Sequence, residues 1–328
     1  MEQTNRNCGS AATGLRRLAR AGLRGLAALL FVAASASGAA AENAALKIGY
    51  SPIAEFLPAF VAKDQGIFAR HGLDVEFVPI ALNSNIPAAL MSKSVEIGGP
   101  NVAVFLQAVD GGLDLVAVSG ITQIPTKNAP IAFVTREDVP FAGAKSIEGR
   151  KIVMPGIGSS VDVLFRQWMR KEGADPAKVT YVELPSVQIN DVLRAKSVDG
   201  AVVVEPFLTR VLQAKSGQVA ARFTEILTSN VPAIIFAAQR SWATQNPKLL
   251  AAFQASIKEG AEFAKANPEK ARASIGTYIK LPQPVLDSLP SPTMKAELTA
   301  ADLGFWVGAM KAENFLKTDL KPVALIAR

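Results

Sequence analysis

Apolar and polar positions alternate at Leu46, Ile48 and Tyr50, break at Ser51-Pro52, and then recur at helical spacing at Leu57, Phe60, Val61 and Phe68. Gly66 punctuates the helical run, and Gly72 closes the turn before a second alternating stretch, Leu73, Val75 and Phe77. Alternation marks a strand and helical spacing a helix, so this stretch predicts a first βαβ unit. Ligands of an open α/β sheet bind outside the carboxyl ends of its strands, which makes Ser51 to Phe56 the first candidate binding loop.

The pattern repeats downstream. Val75 to Ile80 runs into Ala81-Leu82-Asn83-Ser84-Asn85, where Asn85 and Pro87 predict a side-chain-capped helix to about Ser92. Val95 to Gly98 is a short strand, and Gly99-Pro100-Asn101 introduces a helix over Val102 to Ala108. Leu113 to Ser119 is an apolar strand ending in Gly120-Ile121-Thr122. Strands and helices in this alternation imply a largely parallel sheet. Gln123 to Pro130 has no periodicity and reads as a linker.

A second α/β series follows. Ile131 to Thr135 and Lys151 to Met154 are strands, and Pro155-Gly156-Ile157-Gly158-Ser159-Ser160 is a glycine-rich loop. Val161, Leu164, Phe165 and Trp168 mark the next helix, which Gly173 stops. Val179 to Leu184 is a strand with Pro185 to Gln188 as its loop, Ile189 to Lys196 a helix, and Gly200 to Val204 a strand ending in Glu205-Pro206-Phe207. Val231-Pro232 reads as a return crossing, with strand-like Ala233 to Ala237 after it. The rest is helical. Leu249, Leu250, Phe253 and Ile257 share a face behind Asn246-Pro247, and Asn267-Pro268 starts another helix. Pro282 to Pro292 reads as a proline-rich loop, and Thr299 to Phe315 as a last helix with Leu303, Trp306, Val307 and Met310 on one face.

Composition changes this picture mainly at the amino end. The chain has 328 residues, 49% hydrophobic and 19% charged, which suits a globular protein with two lobes rather than a disordered one. Arg16, Arg17, Arg20 and Arg24 precede the apolar run Leu26 to Ala36 and the small residues Ala39-Ala40-Ala41, the pattern of a secretory signal cleaved near Ala41. Without the five arginines and one acid of that segment, the 35 basic and 28 acidic residues fall to 30 and 27, a net of +3. The apparent basicity is thus largely the signal, and nucleic-acid binding is not indicated. The single cysteine, Cys8, lies in the same segment, so the mature chain has no disulfide or thiolate chemistry.

Candidate chemistry gathers at the strand ends. In Gly156-Ile157-Gly158-Ser159-Ser160, backbone N–H groups and two hydroxyls at a helix start could face an anion, although a serine that only caps its own helix leaves the same signature. Asn83, Asn85, Pro100 and Asn101 occupy the equivalent places in the first series, and Thr122 and Gln188 also follow predicted strands. Ser51, Glu55 and Phe56 belong to the opening loop, and Glu205 ends a strand. Glu205 could receive a ligand N–H or tie lobes together through Arg or Lys. None of these loops contains Arg, so a zwitterion or an N–H-rich heterocycle suits Glu55 or Glu205 better than a strong anion. Phe56, Phe105 and Phe207 could stack on a ring. His71, the one histidine, sits in the turn before a strand, away from the candidate loops. A metal site needs a cluster of ligands, so no metal, cofactor or catalytic residue is expected.

The order of KIGYSP, GIFARHGLDVEF, VEIGGPN, SIEGRKIVMPGIGSS, VDGAVVVEPF and the NPEKA helix resembles the sulfonate-, nitrate- and taurine-type substrate-binding proteins of ABC importers. The resemblance covers nearly all of residues 46 to 317 and extends to binders of aromatic carboxylates and pyrimidine precursors. It implies a two-lobed periplasmic-binding-protein fold (type II), each lobe an α/β sheet, joined by two crossover hinge segments. Lobe one would be residues 46–126 plus 233–328, and lobe two 127–232, after a signal peptide at 1–41. The implied function is capture of a small polar organic solute (sulfonate, carboxylate, zwitterion or related) in an inter-lobe cleft, as a periplasmic monomer serving an ABC permease and its ATPase. An enzyme on the same fold, like the pyrimidine-precursor synthases, is the alternative, but those rely on a histidine and a cysteine cluster that this chain lacks. A purely sensory binding protein is a third reading.

Overall fold

The structure, a computed structural model, describes residues 43–327. The expected signal segment and Cys8 lie outside the described residues. Among the described residues, eleven strands form two sheets. The first holds β1 (Ala44–Tyr50), β2 (Leu73–Pro79), β3 (Ile97–Gly98), β4 (Leu115–Ile124), β10 (Val231–Gln239) and β11 (Thr293–Met294), in the order β11-β4-β10-β3-β1-β2. The second holds β5 (Ile131–Thr135), β6 (Lys151–Met154), β7 (Thr180–Glu183), β8 (Gly200–Val204) and β9 (Gln218–Ala221), in the order β7-β6-β8-β5-β9.

The opening unit forms as the alternation predicts. β1 pairs in parallel with β2, with Ile48 opposite Phe77, and Leu46, Ile48 and Tyr50 are buried. Gly66 and Gly72 both adopt left-handed backbone, with φ of 66° and 76°, which is why glycine stands at these two breaks. Helix Leu57–Asp64 lies against helix Pro247–Ala266 so closely that a Cβ on Gly260 would come 2.3 Å from the carbonyl oxygen of Pro58. Leu250, Phe253 and Ile257 face the core from that second helix, whereas Leu249 is only half-buried.

Both sheets are mixed rather than largely parallel. β10 inserts antiparallel between β3 and β4, and β5 runs antiparallel to β8 and β9. The chain passes from the first sheet to the second between β4 and β5, and returns between β9 and β10.

Three further expectations are corrected. The loop expected at Gly120-Ile121-Thr122 is the middle of β4, which continues to Ile124 and shortens the linker. Gly120 allows a close approach instead of ending the strand: it donates to the carbonyl of Ala296, and a Cβ there would lie 2.4 Å from the carbonyl oxygen of Lys295. The proline-rich stretch Pro282 to Pro292 contains a helix, Gln283–Ser288, because a proline in the first turn forfeits no helical hydrogen bond. Asn85 precedes helix Ile86–Met91 but makes no side-chain cap, and it is exposed. Two elements were overlooked: the short β9, and helix Phe207–Gln213, although Phe207, Leu208, Val211 and Leu212 recur at helical spacing.

The last helix, Ala300–Ala312, starts with a capping box in which Thr299 and Asp302 satisfy one another's backbone N–H. Its Trp306 is fully buried and donates its indole N–H to the carbonyl of Pro232 at 2.8 Å. This helix is thereby fixed to the start of β10.

Candidate functional site

The carboxyl ends of parallel strands from both sheets converge on one cavity of about 90 Å³. A single water needs about 10–15 Å³ on the same measure, so the space suits a small organic solute. β1 delivers Ser51 and Glu55, β2 Asn83, β3 Asn101, β6 Ser159 and Ser160, and β7 Ser186 and Val187. The crossing segments complete it with Ile124, Ile131, Ala233 and Ile234, and Phe207 follows β8.

Asn101 is the centre of the polar network. Its Oδ1 accepts from the backbone N–H of Val104 at 3.0 Å, capping helix Val102–Asp110. The same oxygen accepts from the backbone N–H and the hydroxyl of Ser160, both at 3.2 Å, and so bridges the two sheets. Asn101 Nδ2 donates to Asn83 Oδ1 at 3.0 Å, and Asn83 Nδ2 donates in turn to Ser51 Oγ and the carbonyl of Gly99. Further contacts between the two sides include Ala103 N–H to Ser160 Oγ at 3.2 Å, Gln107 to the carbonyl of Gly158 at 2.6 Å, Ser84 to Glu183 at 3.1 Å, and Ala54 N–H to the carbonyl of Glu205 at 3.2 Å.

The backbone donors of the glycine-rich turn are already engaged. Gly158, with φ of 75°, donates its N–H to Asp162 Oδ2, Ser159 to the carbonyl of Gly156, and Ser160 to Asn101. Ser159 Oγ accepts from the N–H of Asp162 and caps helix Ser160–Lys171. Asp162 is fully buried against Arg166; burial pushes its carboxyl up, while the guanidinium pulls the other way. The turn is a hydrogen-bonded helix entry that presents the Ser159 and Ser160 side chains to the cavity, whereas Gly156 and Gly158 are not among its lining residues.

Glu55 is the only ionisable side chain among the described residues that line the cavity. It is 5% exposed, and its Oε2 has no hydrogen-bond partner among the described residues. Burial, reinforced by the nearby Glu205 carboxylate, pushes its pKa up to about 8. Between the ordinary 4.5 and 8 the folded state therefore binds a proton that the unfolded chain releases. Stability contributed by this group is full below 4.5 and falls as pH rises towards 8, by up to about 1.4 kcal/mol per pH unit. Glu205, also raised by burial, tilts stability the same way. Midpoints of thermal unfolding should drop between pH 5 and 8, and Glu55→Gln should flatten the drop; equal slopes in both proteins would refute this assignment.

Other candidates fall elsewhere. Glu205 is buried, but its carboxylate accepts from Thr209 N–H and hydroxyl at 3.0 and 2.9 Å, fastening the start of helix Phe207–Gln213, and it does not line the cavity. Phe56 is wholly buried among Tyr50, Phe60 and Phe236, and Phe105 is core as well. Pro100 uses its carbonyl to accept from Ile235, and Thr122 pairs within the first sheet; neither lines the cavity. Asn85 and Gln188 are exposed outside it. His71 lies where β2 begins, at the opposite edge of the sheet, and contacts Glu259 at 2.9 Å. The apolar liners Ile124, Ile131, Ala233 and Ile234 were missed, since nothing in an apolar side chain marks it as site rather than core. Their place beside the two crossings was the available signal.

Comparison with known proteins now adds a lineage. The chain is 24% identical over 262 residues to the nitrate import ATP-binding protein NrtC of Synechocystis sp., covering 74% of this chain but only 38% of NrtC. It is 26% identical over 293 residues to the riboflavin-binding protein RibY of Chloroflexus aurantiacus, covering 84% of this chain and 80% of RibY. The crystal structure of the periplasmic aliphatic sulphonate binding protein SsuA from Escherichia coli superimposes with a TM-score of 0.70 at 20% identity, over 87% of this chain and 97% of SsuA. That likeness shows the fold to be the two-lobed one of periplasmic binding proteins. The family described as NMT1/THI5 like matches residues 53–271, more than half of the sequence, and the chain belongs to that family.

Proposed function

We propose that this protein is the solute-binding component of an ABC importer, capturing a small organic solute between its lobes and delivering it to a permease driven by an ATPase. The observation that carries this reading is the single cavity walled by strand ends of both sheets, with Asn101 and Ser160 hydrogen-bonded across it. A site divided between two lobes is made by closing them and lost by opening them, the mechanism of hinge-type binding proteins. The likeness to NrtC, RibY and SsuA supports the same reading.

The proposal includes lobes of residues 46–126 plus 233–328 and of 127–232, an amino-terminal signal removed on export, a periplasmic location and a monomeric state. No described helix is long and apolar enough to cross a membrane. The mechanism is affinity and closure, with the solute released unchanged.

Deleting the gene should abolish high-affinity uptake of the solute that the purified protein binds. That solute at 100-fold above its Kd should stabilise the protein by about 2.7 kcal/mol and be recovered chemically intact. Conversion of the bound compound into a product, or unimpaired uptake in the deletion strain, would overturn the reading.

A further inference from the structure

A buried charge sits on the flank of the cleft, away from the solute cavity. We propose that Glu313, held in place by the first lobe and received by Arg170 of the second, is a latch that keeps the cleft shut without touching the solute. The proposal rests on the solute-capture reading and on the lobes given with it.

The arm of the latch is built by the first lobe alone. Helix Ala300–Ala312 ends in a Schellman turn, in which Asn314 takes left-handed backbone with φ of 60°. Phe315 N–H donates to the carbonyl of Met310, and Asn314 N–H to that of Lys311. Just beyond, the N–H groups of Lys317 and Thr318 donate to the carboxylate of Asp110 at 2.9 and 2.8 Å, at the end of helix Val102–Asp110. Trp306 ties the same arm to Pro232. Glu313 therefore keeps its place whether the lobes are together or apart.

Its surroundings come from the other lobe. The Glu313 side chain is 3% exposed, and its one salt-bridge partner among the described residues is Arg170, itself 50% exposed. Gln167, on the same helix as Arg170, donates to the carbonyl of Ala309 at 3.3 Å, in the last turn, where a helix leaves carbonyls without internal partners. The Arg166 guanidinium, fixed by Asp162 at 2.7 Å, lies over the rings of Tyr181 at 4.1 Å and Phe315 at 5.6 Å. Asp162 and Tyr181, both of the second lobe, are pushed up chiefly by burial and further by the Glu313 charge. None of Arg166, Gln167, Arg170 and Glu313 lines the cavity. One rigid helix still links latch and cavity, because Ser160 at its start bonds Asn101 across the cleft and Arg170 follows about 15 Å along the axis.

An ion pair exposed on both sides would contribute little. Here the exposure is unequal. In the shut cleft Glu313 depends on Arg170 for its countercharge, whereas Arg170 keeps much of its water. Parting the lobes withdraws helix Ser160–Lys171 and returns the carboxylate to solvent. Loss of the arginine therefore penalises the closed form, and removal of both charges relieves that penalty.

Amide hydrogen exchange, followed by NMR on the purified protein without added solute, tests the latch. Three N–H groups report on closure, since Ser160 donates to Asn101, Ala103 to Ser160 and Ala54 to Glu205 across the cleft. All three should be protected in the wild-type protein. Arg170→Met should speed their exchange by at least about tenfold, while amides in the β1–β2 and β6–β7 ladders keep their wild-type rates. Glu313→Gln should speed it by about threefold or less, and the double variant should exchange more slowly than Arg170→Met alone. Arg170→Gln takes the place of Arg170→Met should the methionine protein not fold. Unprotected cleft amides in wild type, wild-type rates in the arginine variant, or acceleration spread equally over both ladders overturns the latch. So does a double variant as fast as the arginine variant. Each of these outcomes leaves solute capture standing, because that reading is decided by uptake in the deletion strain.

Discussion

Asn101→Ala should weaken solute binding by about 10- to 100-fold. Asn101 Oδ1 holds the backbone N–H of Val104 within its own lobe, and the backbone N–H and hydroxyl of Ser160 across the cleft. Removing that oxygen leaves the buried Ser160 donor without an acceptor, at a cost of about 1–3 kcal/mol. The penalty falls on the closed arrangement, because only there is Ser160 N–H shielded from water by the opposite lobe. The Val104 cap is intralobe, so its loss lowers stability in open and closed forms alike, by about 1 kcal/mol. A shift of 1.4 kcal/mol is tenfold in affinity, which sets the expected range. Asn101→Asp keeps the acceptor oxygen for Ser160 but sets a charged acceptor against Asn83 Oδ1 at a buried position, so it should also bind more weakly than wild type. Titration calorimetry on both variants decides the matter, and an alanine variant within twofold of wild type would remove Asn101 from the closure mechanism.

The second large effect is on stability. Phe56 fills the core beneath the opening loop, and its ring stands where a Cβ on Gly99 would be, 2.1 Å from the ring edge. Phe56→Ala should cost about 3–5 kcal/mol through the lost burial and the cavity left behind. Gly99→Ala should cost about 1–3 kcal/mol by overpacking against the same ring. The two changes meet in one space, so the double variant should be more stable than the summed single effects imply. Urea unfolding of the three variants measures this coupling. Strict additivity would mean that the ring can move away from Gly99 at no cost. The same experiment separates core from ligand-stacking roles, since a stacking residue would change affinity with little change in unfolding midpoint.

How much of this was legible beforehand depended on whether position or partnership decided the outcome. Position was readable. Alternation located β1 and β2, Gly66 and Gly72 marked real left-handed turns, and the strand-end rule pointed to Ser51, Glu55, Asn83, Asn101, Ser159 and Ser160, all of which line the cavity. Partnership was not readable. Glu205 has the right strand-end place, yet Thr209 four residues later takes both carboxylate oxygens, a local pairing with no separate sequence signature. Phe56 sits one residue from Glu55 and points into the core because a glycine forty-three residues away leaves room for it. Thr122 looked like a loop residue because Gly120 resembles a strand terminator, when that glycine accommodates the segment around Lys295 and Ala296. Each of these outcomes turns on a contact from elsewhere in the chain or on a side-chain direction, which periodicity does not encode.

The pairing of β4 with β10 has one more consequence. Ile124, where the chain leaves the first sheet, is the ladder partner of Val231, where it comes back, and Thr126 N–H is held by Asn230 just beyond. In antiparallel neighbours such partners lie about 4.5–5.5 Å apart. Topologically, everything from Pro125 to Asn230 occupies the place of a hairpin turn, so the second sheet is an insert in a β-hairpin whose two legs belong to the first sheet. The first sheet's own strand pairing is therefore complete without the insert, and a short turn joining Ile124 to Val231 would preserve every ladder of that sheet.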